Sequence, residues 1–240
     1  SAYLNILKSP TMRWIIISGA VHNFNMYAIA AFITPYLMRY HGLDIQQANL
    51  VSMLVYGVMG APGLLVGGYI GDAVMRKKSN GRMLVGMIAI AMSVPVTYLA
   101  LGVARGETTT FLLLMGLACG LMYFYYSTVY ATIQDITEPG IRGTAMAVYF
   151  LAMYVLGASV GPYATGLLSD FFTSRAAAAA GIFDHSQAAL EPFRADGLHS
   201  AMYIIPILGV ILSAVLFAAS RTVSAEIRSL QNWMRDSSKK

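Results

Sequence analysis

Residues 45–82 read IQQANLVSMLVYGVMGAPGLLVGGYIGDAVMRKKSNGR. The first 27 of them, 45–71, carry no Asp, Glu, Lys or Arg; Asp72 ends the run, and Arg76, Lys77, Lys78 and Arg82 follow it. About 20 apolar residues in a helix cross a hydrocarbon core about 30 Å thick, so this run is long enough to span a membrane. A charge at its centre would cost about 2.5–3.5 kcal/mol on the insertion scale, which is a physical reason for its absence. A barrel strand is excluded, because such strands alternate polar and apolar residues over about 10 positions. Gly63, Gly67 and Gly71 lie four apart on one face of the second half. Lipid supplies no hydrophobic drive for helix association, so a stripe of this kind is expected to let another backbone come close.

The same pattern occurs five more times, at 14–38, 83–104, 108–134, 143–169 and 197–220. Together the six windows hold 152 of the 240 residues and no charge, where a soluble domain would place about 38. The whole chain is 57% hydrophobic and 11% charged. Disorder and an ordinary soluble fold are excluded. Cys119 is the only cysteine, which excludes an internal disulfide framework. The expectation is an all-α membrane protein of six spans. The chain opens on Ser1 rather than Met, from which a larger parent polypeptide is expected.

Lys and Arg distribute unevenly between the two ends of these spans. Lys8, Arg13, Arg76, Lys77, Lys78, Arg82, Arg142, Arg221, Arg228, Arg235, Lys239 and Lys240 fall on the side of the N-terminus. Only Arg39, Arg105, Arg175 and Arg194 fall on the other. The positive-inside rule therefore puts both termini in the cytoplasm. The net charge of +5 is accounted for by topology, and no nucleic-acid partner is expected. No metal-ligand cluster or phosphate-cradling loop is present, so no metal or other cofactor is expected. Gly157-Ala-Ser159-Val-Gly161 fits the G-x-S-x-G pattern of a hydrolase nucleophile elbow. That chemistry needs a strand-turn-helix, and here the match lies inside an apolar window; the chain is not read as an enzyme.

An internal repeat emerges when the chain is slid by 98 residues. Tyr56 falls on Tyr154, Gly63 on Gly161, Gly68 on Gly166 and Asp72 on Asp170, so the second and fifth windows both end in Gly-x-x-x-Asp. The six spans then divide into two three-helix units, 14–104 and 108–220. Three is odd, so the second unit runs through the membrane in the opposite sense, an inverted repeat of the kind transporters use. Gly157 and Gly161 in the fifth span match the glycine stripe of the second.

Polar groups inside a membrane are costly and mark candidate sites. The first span carries His22, Asn23, Asn25 and Tyr27 about halfway across, where transporters bind substrate. These residues either line a cavity or make interhelical hydrogen bonds. Tyr123, Tyr126, Tyr130 and Gln134 recur at helical spacing in the fourth span. Rings with hydroxyl tips suit an amphiphile with a polar head, and an aromatic belt or plain packing is the alternative. Tyr56 and Tyr154 are further candidates for the same wall. No Asp or Glu lies inside a span, so an acidic proton-coupling group would have to come from outside this chain. At the basic loop, Asp72 with Arg76, Lys77 and Arg82 is read as a conformational switch, and Glu138 with Arg142 as its repeat-related pair. Positive-inside topology alone would also explain these cations.

Two segments are not spans. A short exposed helix is expected within 171–196, around the run Ala176–Ala180. In 221–240, Val223, Ile227, Leu230 and Met234 recur at helical spacing beside Arg221, Arg228 and Arg235. They suit a cytoplasmic amphipathic tail on an anionic leaflet, with membrane lipid as its partner, or a solvated basic tail.

Gly68-Tyr-Ile-Gly71-Asp72-Ala-Val-Met75-Arg76-Lys77 is similar to G-x-x-x-D-x-x-G-R-K, the loop motif of the major facilitator superfamily, departing from it at Met75. Asp135-Ile-Thr-Glu138-Pro139-Gly-Ile-Arg142-Gly143-Thr-Ala-Met-Ala-Val-Tyr149 resembles the loop before that family's eleventh helix. With Tyr154-Val-Leu-Gly157-Ala-Ser-Val-Gly161-Pro162 the chain looks most like the spinster-like branch. The resemblance implies that residues 1–240 are the C-terminal six-helix half of a twelve-helix secondary transporter. Its partner would be an N-terminal six-helix half, and its cargo a small organic or amphiphilic solute such as a lysolipid, moved by alternating access with ion or proton coupling. A multi-pass place in a bacterial inner membrane follows. The alternative from another class is a non-transporting membrane protein, such as an assembly factor or membrane-embedded enzyme.

Overall fold

Ser9 opens the first membrane helix by accepting a hydrogen bond from the Met12 backbone N–H at 2.9 Å, with Pro10 in the first helical position. A proline there loses nothing, because its missing N–H would be unpaired anyway. The helix, α1 (Pro10–His41), ends where Gly42 takes φ 72° and returns its N–H to the Leu37 carbonyl. Asp44 caps the next helix by accepting from the Gln47 N–H at 2.8 Å. This computed structural model describes residues 6–184 and 186–237. Among them there is helix and no strand, and six stretches are long and apolar enough to cross a membrane.

The second span is α2 (Ile45–Met53) and α3 (Gly60–Met75), joined by a π-helical turn, Leu54–Val58. The third is α4 (Gly81–Leu101) and the fourth α5 (Thr108–Ile136). The fifth is α6 (Arg142–Ala152) and α7 (Val160–Ala179), again joined by a π-helical turn, Met153–Ala158. Short helices α8 (Gln187–Leu190) and α9 (Arg194–Met202) lead into the sixth, α10 (Ile204–Ser237). The alanine run 176–179 is thus the end of the fifth span, and the exposed helix expected in this region begins only at Gln187.

The second and fifth spans repeat one packing solution. In each, a wide turn marks the middle: the Met59 N–H reaches the Leu54 carbonyl and the Ser159 N–H reaches that of Tyr154, both at 3.0 Å. Such a bulge rotates the face of the helix beyond it. In the second span a Cβ on Gly63 would collide with the Gly120 carbonyl, and one on Gly67 would lie 2.8 Å from Phe124 Cα. In the fifth a Cβ on Gly157 would collide with the Ala20 carbonyl, and one on Gly161 would lie 2.5 Å from the Phe24 carbonyl oxygen. Each glycine pair therefore meets a small residue and the phenylalanine four positions after it, on α5 and on α1 respectively. Gly71 carries the stripe on toward Thr128. By contact, Gly63 corresponds to Gly157, one turn away from its sequence match Gly161. A shift of four residues keeps the same helix face, which is why a residue-by-residue match cannot detect it.

Three long-range ties show which ends lie together. Arg82 pairs with Asp72 and Asp135, which brings the ends of α3 and α5 to the start of α4. At the same end, Glu226 of α10 accepts from Ser9 Oγ at 2.5 Å and from the Thr11 N–H at 3.0 Å. At the opposite end Arg105 pairs with Asp196, and this carboxylate raises the guanidinium above its ordinary range. We call the first of these the basic end and the other the far end. The tail expected to lie on lipid is instead the continuous end of α10. Val223, Ile227 and Leu230 are buried by protein, so of its large apolar residues among those described only Trp233 and Met234 stay exposed. Lys239 and Lys240 lie outside the described residues.

Candidate functional site

A sheet of aromatic rings runs across four spans. Tyr27 of α1 meets Tyr154 edge-on at 6.3 Å between centroids. Tyr154 meets Phe150, Phe150 meets Tyr130, and Tyr130 meets Tyr126 at 5.6 Å. Tyr126 continues to Tyr123 at 5.7 Å, and Tyr123 to Tyr56 at 6.2 Å. Most of these contacts are edge-on or tilted, the arrangement ring quadrupoles favour. The wide turns put Tyr56 and Tyr154 into this sheet while the glycines after them face α5 and α1. Tyr56 is tied in place by its hydroxyl, which donates to the Met26 carbonyl. Tyr27 and Tyr154 are exposed, and Tyr56, Tyr123, Tyr126 and Tyr130 are half-buried.

His22, Asn23 and Asn25 lie behind this sheet, each at most 2% exposed. They do not line an open wall in this structure, because neighbouring helices cover them. His22 stacks on Tyr125 at 4.0 Å and meets the edge of Tyr126 at 4.8 Å. Its Nε2 has no partner among the described residues. Asn23 donates to the Gly19 carbonyl at 3.1 Å and accepts from the Tyr126 hydroxyl at 3.4 Å. Asn25 points the other way, donating to the Ile205 carbonyl of α10 at 3.0 Å. A chain of hydroxyls, Ser18 to Tyr125 at 2.7 Å and Tyr125 to Tyr149 at 3.0 Å, braces the layer behind the rings. Gln134 is half-buried one turn beyond Tyr130 toward the basic end.

At the basic end Arg82 holds two carboxylates. Its Nε and Nη2 donate to Asp72 Oδ1 at 2.9 and 2.8 Å, and its Nη1 donates to Asp135. The Arg82 and Asp135 side chains are 20% and 28% exposed, whereas Asp72 is 57% exposed. Planar guanidinium suits this double engagement, which a lysine's point charge would not reproduce. Arg76 and Lys77 are exposed beside it. Glu138 and Arg142 do not form the expected pair: Arg142 Nε donates to the Thr137 carbonyl at 3.3 Å, and no ion pair joins the two among the described residues. Glu138 has extended backbone and Pro139–Ile141 form a 3-10 turn, so the four-residue spacing is not helical here.

Sequence reasoning did not assign Asp135 to the switch, nor Tyr149 and Phe150 to the aromatic layers. Asp135 was detectable in principle, being the charge that closes the window 108–134, as Asp72 closes 45–71. Phe150 and Tyr154 had the helical spacing of four.

A family model for the Major Facilitator Superfamily matches residues 15–233. An MFS-type efflux pump of Mycolicibacterium smegmatis is 27% identical over 169 residues, covering 70% of this chain and 39% of that protein. Protein spinster homolog 3 of Mus musculus is 28% identical over 138 residues, 54% of this chain and 27% of that one. Among solved structures, a bacterial homolog of the human lysosomal transporter Spinster, inward-facing and unoccupied, superimposes with a TM-score of 0.77 at 22% identity. It matches 94% of this chain and 50% of its own. The same protein in an occupied inward-facing state gives a TM-score of 0.75, matching 92% and 51%. The chain thus spans about two fifths or less of those relatives and half of the solved transporter. With a matched region running from the first span through the last, the chain belongs to the Major Facilitator Superfamily.

Proposed function

We propose that this chain is the C-terminal six-helix half of a secondary transporter. Paired with an N-terminal six-helix half, it moves a small organic or amphiphilic solute by alternating access, with ion or proton coupling. The observation that carries the reading is the continuous ring sheet. Four spans contribute to it and its outer rings are exposed; in this reading a second half closes over it to form a central cavity. Ring faces and hydroxyl tips accept an apolar body with a polar head. Tyr27, Tyr56, Tyr123, Tyr126, Tyr130 and Tyr154 are its contact surface, and Gln134 lies at its basic edge. His22, Asn23 and Asn25 hold it from behind. The amphiphile class rests on the rings alone.

Asp72, Arg82 and Asp135 form the switch at the basic end; by the Lys and Arg bias this end faces the cytoplasm, and in this reading so do both termini. Arg82 fixes three span ends to one another, while Asp72 stays open enough to exchange partners between states. The paired glycine contacts give each unit a flat surface on which to tilt, once in each sense. The reading is tested by assembling the chain with an N-terminal half in liposomes and following a fluorescent lysolipid and ethidium. Tyr126→Ala is expected to lower uptake of the accepted probe at least tenfold. Wild-type uptake in both Tyr126→Ala and Tyr130→Ala would overturn the assignment of the wall.

A further inference from the structure

On the side of the bundle away from the ring sheet, a notch of about 550 Å³ opens between α4 and α10. Its side is fixed by α1: Asn25 reaches Ile205 of α10, whereas Tyr27 of the sheet is two residues on, about 200° round the helix. The two helices touch at the floor of the notch, where a Cβ on Gly209 would lie 2.8 Å from Val94 Cγ2. Beside this contact Leu99, Ile207 and Val210 line the opening, each more than half exposed. Tyr98 and Tyr203 form its rim, with centroids 5.4 Å apart.

Beyond the rim the surface turns polar. His199 meets Tyr203 at 5.3 Å and stacks on Tyr40 at 4.4 Å. The Arg105 guanidinium lies 5.0 Å over the Tyr40 ring and pairs with Asp196, the two side chains 56% and 54% exposed. Asp196, His199, Tyr203, Ile207 and Val210 recur at helical spacing along α9 and α10, so they share one face. Fourteen residues at helical rise cover about 21 Å, which matches one leaflet of a bilayer about 40–45 Å thick with its headgroups. Along that length lie an ion pair, an aromatic rim and an apolar notch, the polarity profile of a lipid molecule.

We propose that this stripe seats one zwitterionic glycerophospholipid of the surrounding bilayer, with an acyl chain in the notch, its phosphate on Arg105 and its ammonium on Asp196. The adjacent cation and carboxylate select for a zwitterion. A purely anionic headgroup would satisfy Arg105 and be repelled by Asp196. This site is separate from the ring sheet and needs only that the chain be membrane-embedded.

The test is native mass spectrometry of the detergent-purified protein with palmitoyl-oleoyl phosphatidylethanolamine or the phosphatidylglycerol of the same chains. One phosphatidylethanolamine is expected to stay bound, at least tenfold more tightly than phosphatidylglycerol. Ile207→Trp and Val210→Trp, two independent ways of filling the notch, should each lose it while melting like the wild type. Asp196→Asn should keep a bound lipid and narrow the headgroup preference to less than threefold. Should one filling variant fail to fold, the other decides. No retained lipid, equal retention of the two lipids, or unchanged retention in a folded filling variant would overturn the proposal.

Discussion

His22 lies flat against Tyr125, ring centroids 4.0 Å apart and planes inclined by 18°. The imidazole is 1% exposed, and its Nε2 has no hydrogen-bond partner among the described residues. A buried polar atom without a partner costs stability, so the ring contributes by packing. His22→Phe is therefore expected to hold or raise the melting temperature in detergent and to keep transport within about threefold. His22→Ala should cost about 2–4 kcal/mol, as buried ring truncations do. Transport abolished in a stable His22→Phe protein would make the imidazole a proton carrier.

Tyr126 touches the rings of His22, Tyr123, Tyr125 and Tyr130, which makes it the centre of the sheet. Among the described residues its hydroxyl makes only a long hydrogen bond, 3.4 Å to Asn23. Tyr126→Phe should behave as wild type in uptake. Tyr126→Ala should lose at least tenfold, with a stability cost of about 2 kcal/mol because the ring is half-buried.

The glycine contacts predict a sharp contrast between neighbours in sequence. Gly63→Ala and Gly157→Ala place a methyl against a backbone carbonyl and should each destabilise by about 1–3 kcal/mol. Gly68→Ala and Gly166→Ala, whose added Cβ would find only atoms 3.6 Å away, should leave the melting curve unchanged.

At the basic end the two carboxylates on Arg82 should separate by readout. Asp135 is the more enclosed, so Asp135→Asn should lower stability by about 1–2 kcal/mol, more than an exposed pair is worth. Asp72→Asn, at the exposed partner, should slow turnover several-fold with substrate affinity little changed. Turnover and affinity both at wild-type values would remove Asp72 from the switch.

Much of this is legible in the sequence, for a simple reason. Exclusion of charge from hydrocarbon is a one-dimensional signal, so five of the six windows fall within helical spans and the other, 83–104, overruns α4 by three residues; Gly63, Gly67, Gly157 and Gly161 could be assigned to packing from spacing alone. What lay beyond the pattern is rotation. The wide turns at Leu54–Val58 and Met153–Ala158 re-aim the faces after them, and nothing in the spacing of Tyr56 and Gly60 announces that. The same gap hid His22 and Asn25 behind the wall, since depth along a span is readable but the neighbour covering a face is not. Val223, Ile227 and Leu230 show the converse. An apolar stripe looks alike whether lipid or protein covers it, and here protein does.

The central claim, that the ring sheet faces a cavity opened in turn to either side, is tested most directly by thiol labelling. Cys119 is buried and would be replaced in Cys119→Ala; single cysteines are then introduced as Tyr130→Cys in the sheet and Leu99→Cys on the lipid face. Each protein is assembled with an N-terminal half in membranes and exposed to an impermeant maleimide from one side at a time. The account predicts labelling of Tyr130→Cys from both sides and of Leu99→Cys from neither. Labelling of Tyr130→Cys from one side only, or from neither, would contradict it.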